Sequence, residues 1–187
     1  RPHRTAVSIS ARCDVRLVYF EQWMHPVAEQ VLGGKADLDL VRLRYASAEA
    51  GNWEKLATAN GYHVSPRGDI REPWLVGADL LKRCPDLLAV SSTGAGYDVI
   101  DVEACTAAGV IVCNQTGTNT EAVAEHALGL MLALSKKIAV TDKALRKGAP
   151  TDRYEHSGND ILGKTVGIIG IGNIGTRVSR LCGTLLT

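Results

Sequence analysis

Near the end of the chain, Gly170-Ile171-Gly172-Asn173-Ile174-Gly175 follows the apolar run Thr165-Val166-Gly167-Ile168-Ile169 and opens the segment Thr176-Arg177-Val178-Ser179-Arg180-Leu181. Three glycines at this spacing, between a strand-like run and a helical pattern, constrain the fold more than any other feature. The first allows a tight turn, the second lets backbone approach a pyrophosphate, and the third lets helix and strand pack closely. The sequence therefore predicts the strand–turn–helix that opens a dinucleotide-binding fold. Gly170, Gly172, Asn173, Ile174 and Gly175 would meet the pyrophosphate, with the free N–H groups of the helix start turned toward the anion. The plain alternative is an ordinary strand-to-helix turn, since glycine makes up 19 of the 187 residues. The motif falls so late that a nucleotide fold is expected to begin here without being completed.

Upstream, short β-rich runs alternate with helical patterns, which predicts a parallel sheet flanked by helices. Strands are expected at Val15–Phe20, Leu38–Tyr45, Tyr62–Ser65, Leu87–Ser91 and Val110–Cys113. Leu38–Tyr45 alternates apolar and polar residues as an edge strand would, whereas Val110–Cys113 reads as buried. Helices are expected at His25–Leu32, Asn52–Ala59, Pro73–Lys82 and Asp101–Ala108, the last capped by Gly109. The fold class that follows is α/β: a flavodoxin-like doubly wound domain over residues 1–116, then the start of a Rossmann domain over residues 117–187.

The passage between the two is a helix, Asn119–Ile138, with Asn119 or Thr120 as N-cap, Glu121 and Glu125 early, and Lys136 and Lys137 at its end. Its apolar residues cover more than one face, the pattern of a helix buried on several sides, between domains or between subunits. Lys147–Asp160 reads as a surface loop.

Composition narrows the function classes. Basic and acidic residues number 21 and 20, and no basic stretch is interleaved with aromatics, which argues against a nucleic-acid partner. No apolar run approaches the length of a membrane span. Five cysteines (Cys13, Cys84, Cys105, Cys113 and Cys182) show no Cys-x-x-Cys spacing, and several sit in apolar runs. Reduced, mostly buried thiols in a cytoplasmic protein are expected. The five histidines are scattered at no ligand spacing, so no metal site is expected.

Two loops at expected strand ends are candidate ligand contacts, because open α/β sheets bind ligands at the carboxyl ends of their strands. In Ser91-Ser92-Thr93-Gly94-Ala95-Gly96-Tyr97-Asp98, the glycines flanking Ala95 would let backbone N–H groups converge on an anion. An ordinary glycine turn, with Asp98 or Asp101 capping the next helix, fits the same residues. In Ser65-Pro66-Arg67-Gly68-Asp69, Arg67 is able to pair with an acidic substrate or to stand solvated at the surface. His63 reads as a strand residue satisfied locally. Glu125 and His126 are adjacent helix positions and do not form a pair by spacing.

Three motifs in order then resemble one family. They are Gly94-Ala95-Gly96-Tyr97-Asp98-Val99-Ile100-Asp101; Asn114 with Asn119-Thr120-Glu121-Ala122-Val123-Ala124-Glu125-His126; and Gly163-Lys164-Thr165-Val166-Gly167-Ile168-Ile169-Gly170-Ile171-Gly172-Asn173-Ile174-Gly175. Together they are similar to the D-isomer-specific 2-hydroxyacid dehydrogenases, loosely before Tyr62 and closely from Leu87 onward. The resemblance implies NAD or NADP as cofactor, NAD being favoured, and a small 2-hydroxy or 2-keto acid as substrate. It implies that the N–H groups of Ala95 and Gly96 hold the substrate carboxylate, with Ser65 and Arg67 biasing the substrate class. It further implies that Asn119 and Thr120 lie near the nicotinamide, and that the protein is a homodimer through the Asn119–Ile138 helix. The arginine, carboxylate and histidine that such enzymes use for catalysis follow the glycine motif, so no catalytic residue is assigned within this chain, which is expected to be inactive alone. Many relatives carry an arginine before the serine of the first-domain loop, where this chain has Val64-Ser65. The competing expectation is a non-catalytic NAD-sensing regulator, or a dimerisation module, on the same scaffold.

Overall fold

The computed structural model describes residues 15–65, 70–148, 152 and 154–185. Contacts divide the chain into two units, one running up to Thr116 and one from Gly117 onward.

The first unit is built on a five-stranded sheet of Val15–Phe20 (β1), Leu38–Leu43 (β2), Gly61–Val64 (β3), Ala89–Ser92 (β4) and Ile111–Cys113 (β5). The order is β2-β1-β3-β4-β5 and every pairing is parallel. This is the flavodoxin-like order, in which the chain runs out from β1 in both directions and leaves a crevice at the carboxyl ends of the strands. The helices that follow the first four strands are Val27–Gly33 (α1), Glu49–Leu56 (α2), Ala78–Arg83 (α3) and Val102–Ala108 (α4).

Alternation along the strands sends Val18, Phe20, Tyr62, Val64 and Val90 to one face. There they meet Trp53 and Leu56 of α2, Leu80 and Leu81 of α3, and Cys105 of α4 in a continuous core. Full burial of each large apolar side chain contributes roughly 1.5–3 kcal/mol. The Tyr62 hydroxyl, wholly enclosed, donates to the Trp74 carbonyl at 3.1 Å, so this phenol is buried without an unpaired group.

Several expected elements differ in extent. Pro73–Gly77 is not helical, because Val76 exchanges backbone hydrogen bonds with Val99 and Asp101 and forms a bridge to Ile100; α3 starts only at Ala78. Strand β5 is not buried: it is the last in the order, one side of its ladder is open, and Ile111 and Cys113 are exposed. Of the cysteines, Cys84, Cys105 and Cys182 are buried free thiols, and burial pushes Cys84 up to about 11; Cys13 lies outside the described residues.

In the second unit the long helix is shorter than expected, Thr120–Ser135 (α5). Lys137 adopts a left-handed conformation, and a separate helix, Ile138–Arg146 (α6), follows where none was anticipated. The α5 terminus is held by the downstream loop: the Asn159 N–H donates to the Ser135 carbonyl at 2.7 Å, and Lys136 pairs with Asp160. Only Ala124 of α5 is fully buried, while Leu130 and Leu134 are exposed, so the many-sided burial expected of this helix is absent within the unit. The last helix is Asn173–Leu185 (α7). Residues 165–169 form no strand, although Val166 and Ile168 pack on the α5–α7 cluster; Ile169 is bare. A strand needs a ladder partner, and no other segment of this unit supplies one among the described residues.

Candidate functional site

In the first unit, the carboxyl ends of β3, β4 and β5 carry the polar groups of interest. The loop after β4 is clamped through its carbonyls. Gln115 N–H donates to Gly94 O at 2.8 Å, the Asn114 side-chain amide donates to Ala95 O at 3.0 Å, and Ser92 Oγ donates to Gly96 O at 2.7 Å. Gly94, at φ +80°, makes the turn, and its N–H donates to the Gln115 side chain at 3.2 Å. The N–H groups of Ala95 and Gly96 have no acceptor among the described residues. A loop whose carbonyls are occupied and whose adjacent donors are free has the polarity of an anion nest. Ser92, Asn114 and Gln115 do the clamping. Their position at the ends of neighbouring strands was visible in the sequence, their targets were not.

Ser65 directly follows β3 and lines a cavity of about 380 Å³ with Phe20, Glu21, Trp23, Tyr45 and Arg71. The Arg71 guanidinium lies over the Tyr45 ring, 4.3 Å from its centroid, and sequence reasoning did not single it out. Arg67 lies outside the described residues. His63, on β3, has both ring nitrogens engaged: Nδ1 lies 2.8 Å from Ser91 Oγ and Nε2 lies 2.9 Å from Thr93 Oγ1. Its ring stacks on Trp23 with centroids 4.3 Å apart, and burial lowers its pKa from 6.5 to about 4, which keeps it neutral.

In the second unit, Gly170 takes φ +93° at the turn before α7. A side chain on Gly175 would collide with the Gly170 carbonyl, whereas nothing lies within 4 Å of the space a Gly172 side chain would fill. The three glycines thus split into a turn, a close contact and an open approach. Thr176 N–H donates to Gly172 O at 3.0 Å, while the N–H groups of Asn173, Ile174 and Gly175 have no acceptor among the described residues. Helices α5 and α7 run side by side in the same direction, with Ala124, Val178 and Cys182 buried between them and Arg177 Nε donating to Glu121 Oε2 at 2.7 Å. Asn119 and Thr120 therefore start one helix beside the glycine turn that starts the other. Two aligned helix dipoles present partial positive charge on the same side. An open backbone approach beside free N–H groups fits a dinucleotide pyrophosphate. A cavity of about 550 Å³ in this unit lies further along α5 among Leu128, Met131, Leu134 and Val166 and lacks these donors. Among the described residues no three His, Cys, Asp or Glu side chains cluster as metal ligands, and no helix is long and apolar enough to cross a membrane.

A flavodoxin-like unit with a donor loop at its strand ends, followed by a glycine turn on paired helices, defines a two-part α/β protein of the dinucleotide-dependent type. The family model described as D-isomer specific 2-hydroxyacid dehydrogenase, catalytic domain, matches residues 14–156. The NAD binding domain model of the same family matches residues 128–185. The chain belongs to the D-isomer specific 2-hydroxyacid dehydrogenase family, whose dinucleotide is NAD or NADP.

Among similar proteins, the D-3-phosphoglycerate dehydrogenase of Mycobacterium tuberculosis is 42% identical over 111 residues, covering 59% of this chain and 21% of that protein. The D-3-phosphoglycerate dehydrogenase of Archaeoglobus fulgidus is 36% identical over 116 residues, 62% of this chain and 22% of that protein. The chain thus spans about a fifth of the length of these relatives. In fold it is similar to D-lactate dehydrogenase from Aquifex aeolicus, with a TM-score of 0.71 at 22% identity over 90% of this chain and 48% of that one. It is likewise similar to D-mandelate dehydrogenase from Rhodotorula graminis, with a TM-score of 0.73 at 19% identity over 92% and 54%.

Proposed function

We propose that this chain supplies the substrate domain and the opening of the nucleotide domain of an NAD(P)-dependent enzyme that interconverts a D-2-hydroxyacid and its 2-keto acid. The observation that carries this reading is the loop after β4, where three carbonyls are tied down and the Ala95 and Gly96 N–H groups are left to face a carboxylate. Two amide donors fixed before the ligand arrives bind an anion without the cost of ordering themselves. Ser65, which lines a cavity of the same unit, and Arg67 bias the substrate class.

Gly170, Gly172, Asn173, Ile174 and Gly175 hold the pyrophosphate, and Asn119 and Thr120 lie toward the nicotinamide. The bound dinucleotide supplies hydride chemistry at its nicotinamide C4. Reduction of a keto acid would also need one proton at its carbonyl oxygen. No residue of this chain is assigned the proton transfer. His63 has both nitrogens engaged and stays neutral, and the chain alone is read as inactive. Exposed Leu130 and Leu134 on α5 support pairing of two copies through this helix.

Amide NMR tests the assignment. Glyoxylate added to the chain is expected to shift the Ala95 and Gly96 amides, and NAD to shift those of Asn173, Ile174 and Gly175. Shifts scattered over the surface, with these five amides unmoved, would overturn the reading.

A further inference from the structure

His63 sits at the centre of the first unit's polar edge without any role in the reading above. It is paired in register with Ser91 across β3 and β4, so its side chain shares a face with Ser91 and with Thr93 two residues on. The ring spans the two hydroxyls, Nδ1 to Ser91 and Nε2 to Thr93, and Trp23 closes one face of it. Thr93 is the hinge of the donor loop. Its N–H donates to the Val64 carbonyl at 3.0 Å, and the next residue is Gly94, where the chain turns at φ +80°. An imidazole with one protonated nitrogen donates to one hydroxyl and accepts from the other, so the chain Ser91–His63–Thr93 has a direction. That fixes the Thr93 rotamer against β3 instead of leaving the hydroxyl to rotate.

We infer that His63 is a positioning residue, which through its Nε2 contact to Thr93 holds the Gly94–Gly96 loop in its anion-receiving form. This rests on the assignment of Ala95 and Gly96 as the carboxylate donors. His63 touches neither the donors nor a substrate. It acts through Thr93, and the Ser91 contact orients the ring. A β-branched residue held at its hydroxyl fixes the chain entering the turn, and Ser92, Asn114 and Gln115 then secure the carbonyls beyond it. The two nitrogens make separable contributions. A glutamine reaches as far as Nε2 and keeps the bond to Thr93. An asparagine reaches only as far as Nδ1 and keeps the bond to Ser91. A phenylalanine keeps the stack on Trp23 and neither bond.

The test is amide hydrogen exchange at Thr93 and Gln115, whose N–H groups bond Val64 and Gly94, in chains carrying His63→Gln, His63→Asn, His63→Phe, Thr93→Ser and Thr93→Val. Protection is expected to fall about tenfold in His63→Asn, His63→Phe and Thr93→Val and to stay within about threefold of wild type in His63→Gln and Thr93→Ser. A role in packing alone predicts a different order, with His63→Phe retaining protection and the two amide variants losing it equally. Either of those results overturns the inference. Glyoxylate titration of the same samples separates it from the reading beneath it. Wild-type Ala95 and Gly96 amides that ignore glyoxylate overturn the carboxylate assignment, while the exchange pattern still decides whether His63 orders the loop.

Discussion

Arg177 on α7 reaches across to Glu121 on α5, with Nε 2.7 Å from the carboxylate Oε2. The pair ties the N-terminal halves of the two helices and neutralises Glu121. Both side chains are partly exposed, so the pair contributes only about 0.2–1 kcal/mol. Urea unfolding of Glu121→Gln, Arg177→Gln and the double variant should return a coupling energy in that range, shrinking as salt is raised. A coupling of zero at low salt would mean that the helices are registered by Ala124 and Val178 alone.

The glycine turn separates folding from binding. Gly175→Ala drives a methyl into the Gly170 carbonyl and should destabilise the unit by about 1–3 kcal/mol, the range for overpacking. Gly172→Ala meets no protein atom within 4 Å and should leave the unfolding midpoint unchanged while weakening NAD binding. Calorimetric titration with NAD alongside thermal melts checks both. Equal loss of stability in the two variants would contradict this division.

His63 makes the first unit sensitive to acid. Its pKa falls from 6.5 to about 4 on folding through burial. The unfolded chain therefore takes up a proton near pH 6.5 that the folded chain refuses until about pH 4. The stability in question is complete above pH 6.5 and drains away as the pH falls through that window. The ceiling on the loss is roughly 3 kcal/mol. Denaturant midpoints at pH 7 and pH 4.5 should differ more for wild type than for His63→Phe. Parallel shifts in both would assign the acid sensitivity to other groups.

Tyr62→Phe removes one oxygen from the core and strands the Trp74 carbonyl that it satisfied. The expected cost is about 1–3 kcal/mol, the penalty for an unpaired buried acceptor. Equilibrium unfolding measures it, and a neutral result would show that water reaches Trp74 in the variant.

The strands of the first unit were legible because VRLVYF is rich in β-branched and aromatic residues, LDLVRL mixes apolar with polar residues as an edge strand does, and the short runs near Tyr62 and Val90 lead into Ser65-Pro66 and Ser92-Thr93-Gly94. Their apolar content does not say which strand is outermost, which is why Val110–Cys113 read as buried when it is an open edge. The α5 break at Lys137 was hidden too. Its helical periodicity runs on through Ile138, and the interruption is enforced by Asn159, more than twenty residues downstream. At the site, the glycines announced both the loop and the turn. The ties that give the loop its polarity come from Ser92, Asn114 and Gln115, and the brace on its hinge comes from a histidine on the preceding strand. Long-range hydrogen bonds leave no periodic trace.

The all-parallel ladder sets a schedule for the chain as it folds. No two of its strands are joined by a hairpin, and paired residues such as Val15 and Leu38, Leu17 and Gly61, or Tyr62 and Val90 stand roughly 20 to 45 residues apart. Every rung closes a long loop before it gains a contact, so the sheet cannot grow by zipping from a local nucleus. β1, between β2 and β3, must hold its place until both neighbours have arrived. The loop after β4 has one clamp, Ser92, on its own strand and two, Asn114 and Gln115, just beyond β5, so it is fully tied only once the last strand has docked.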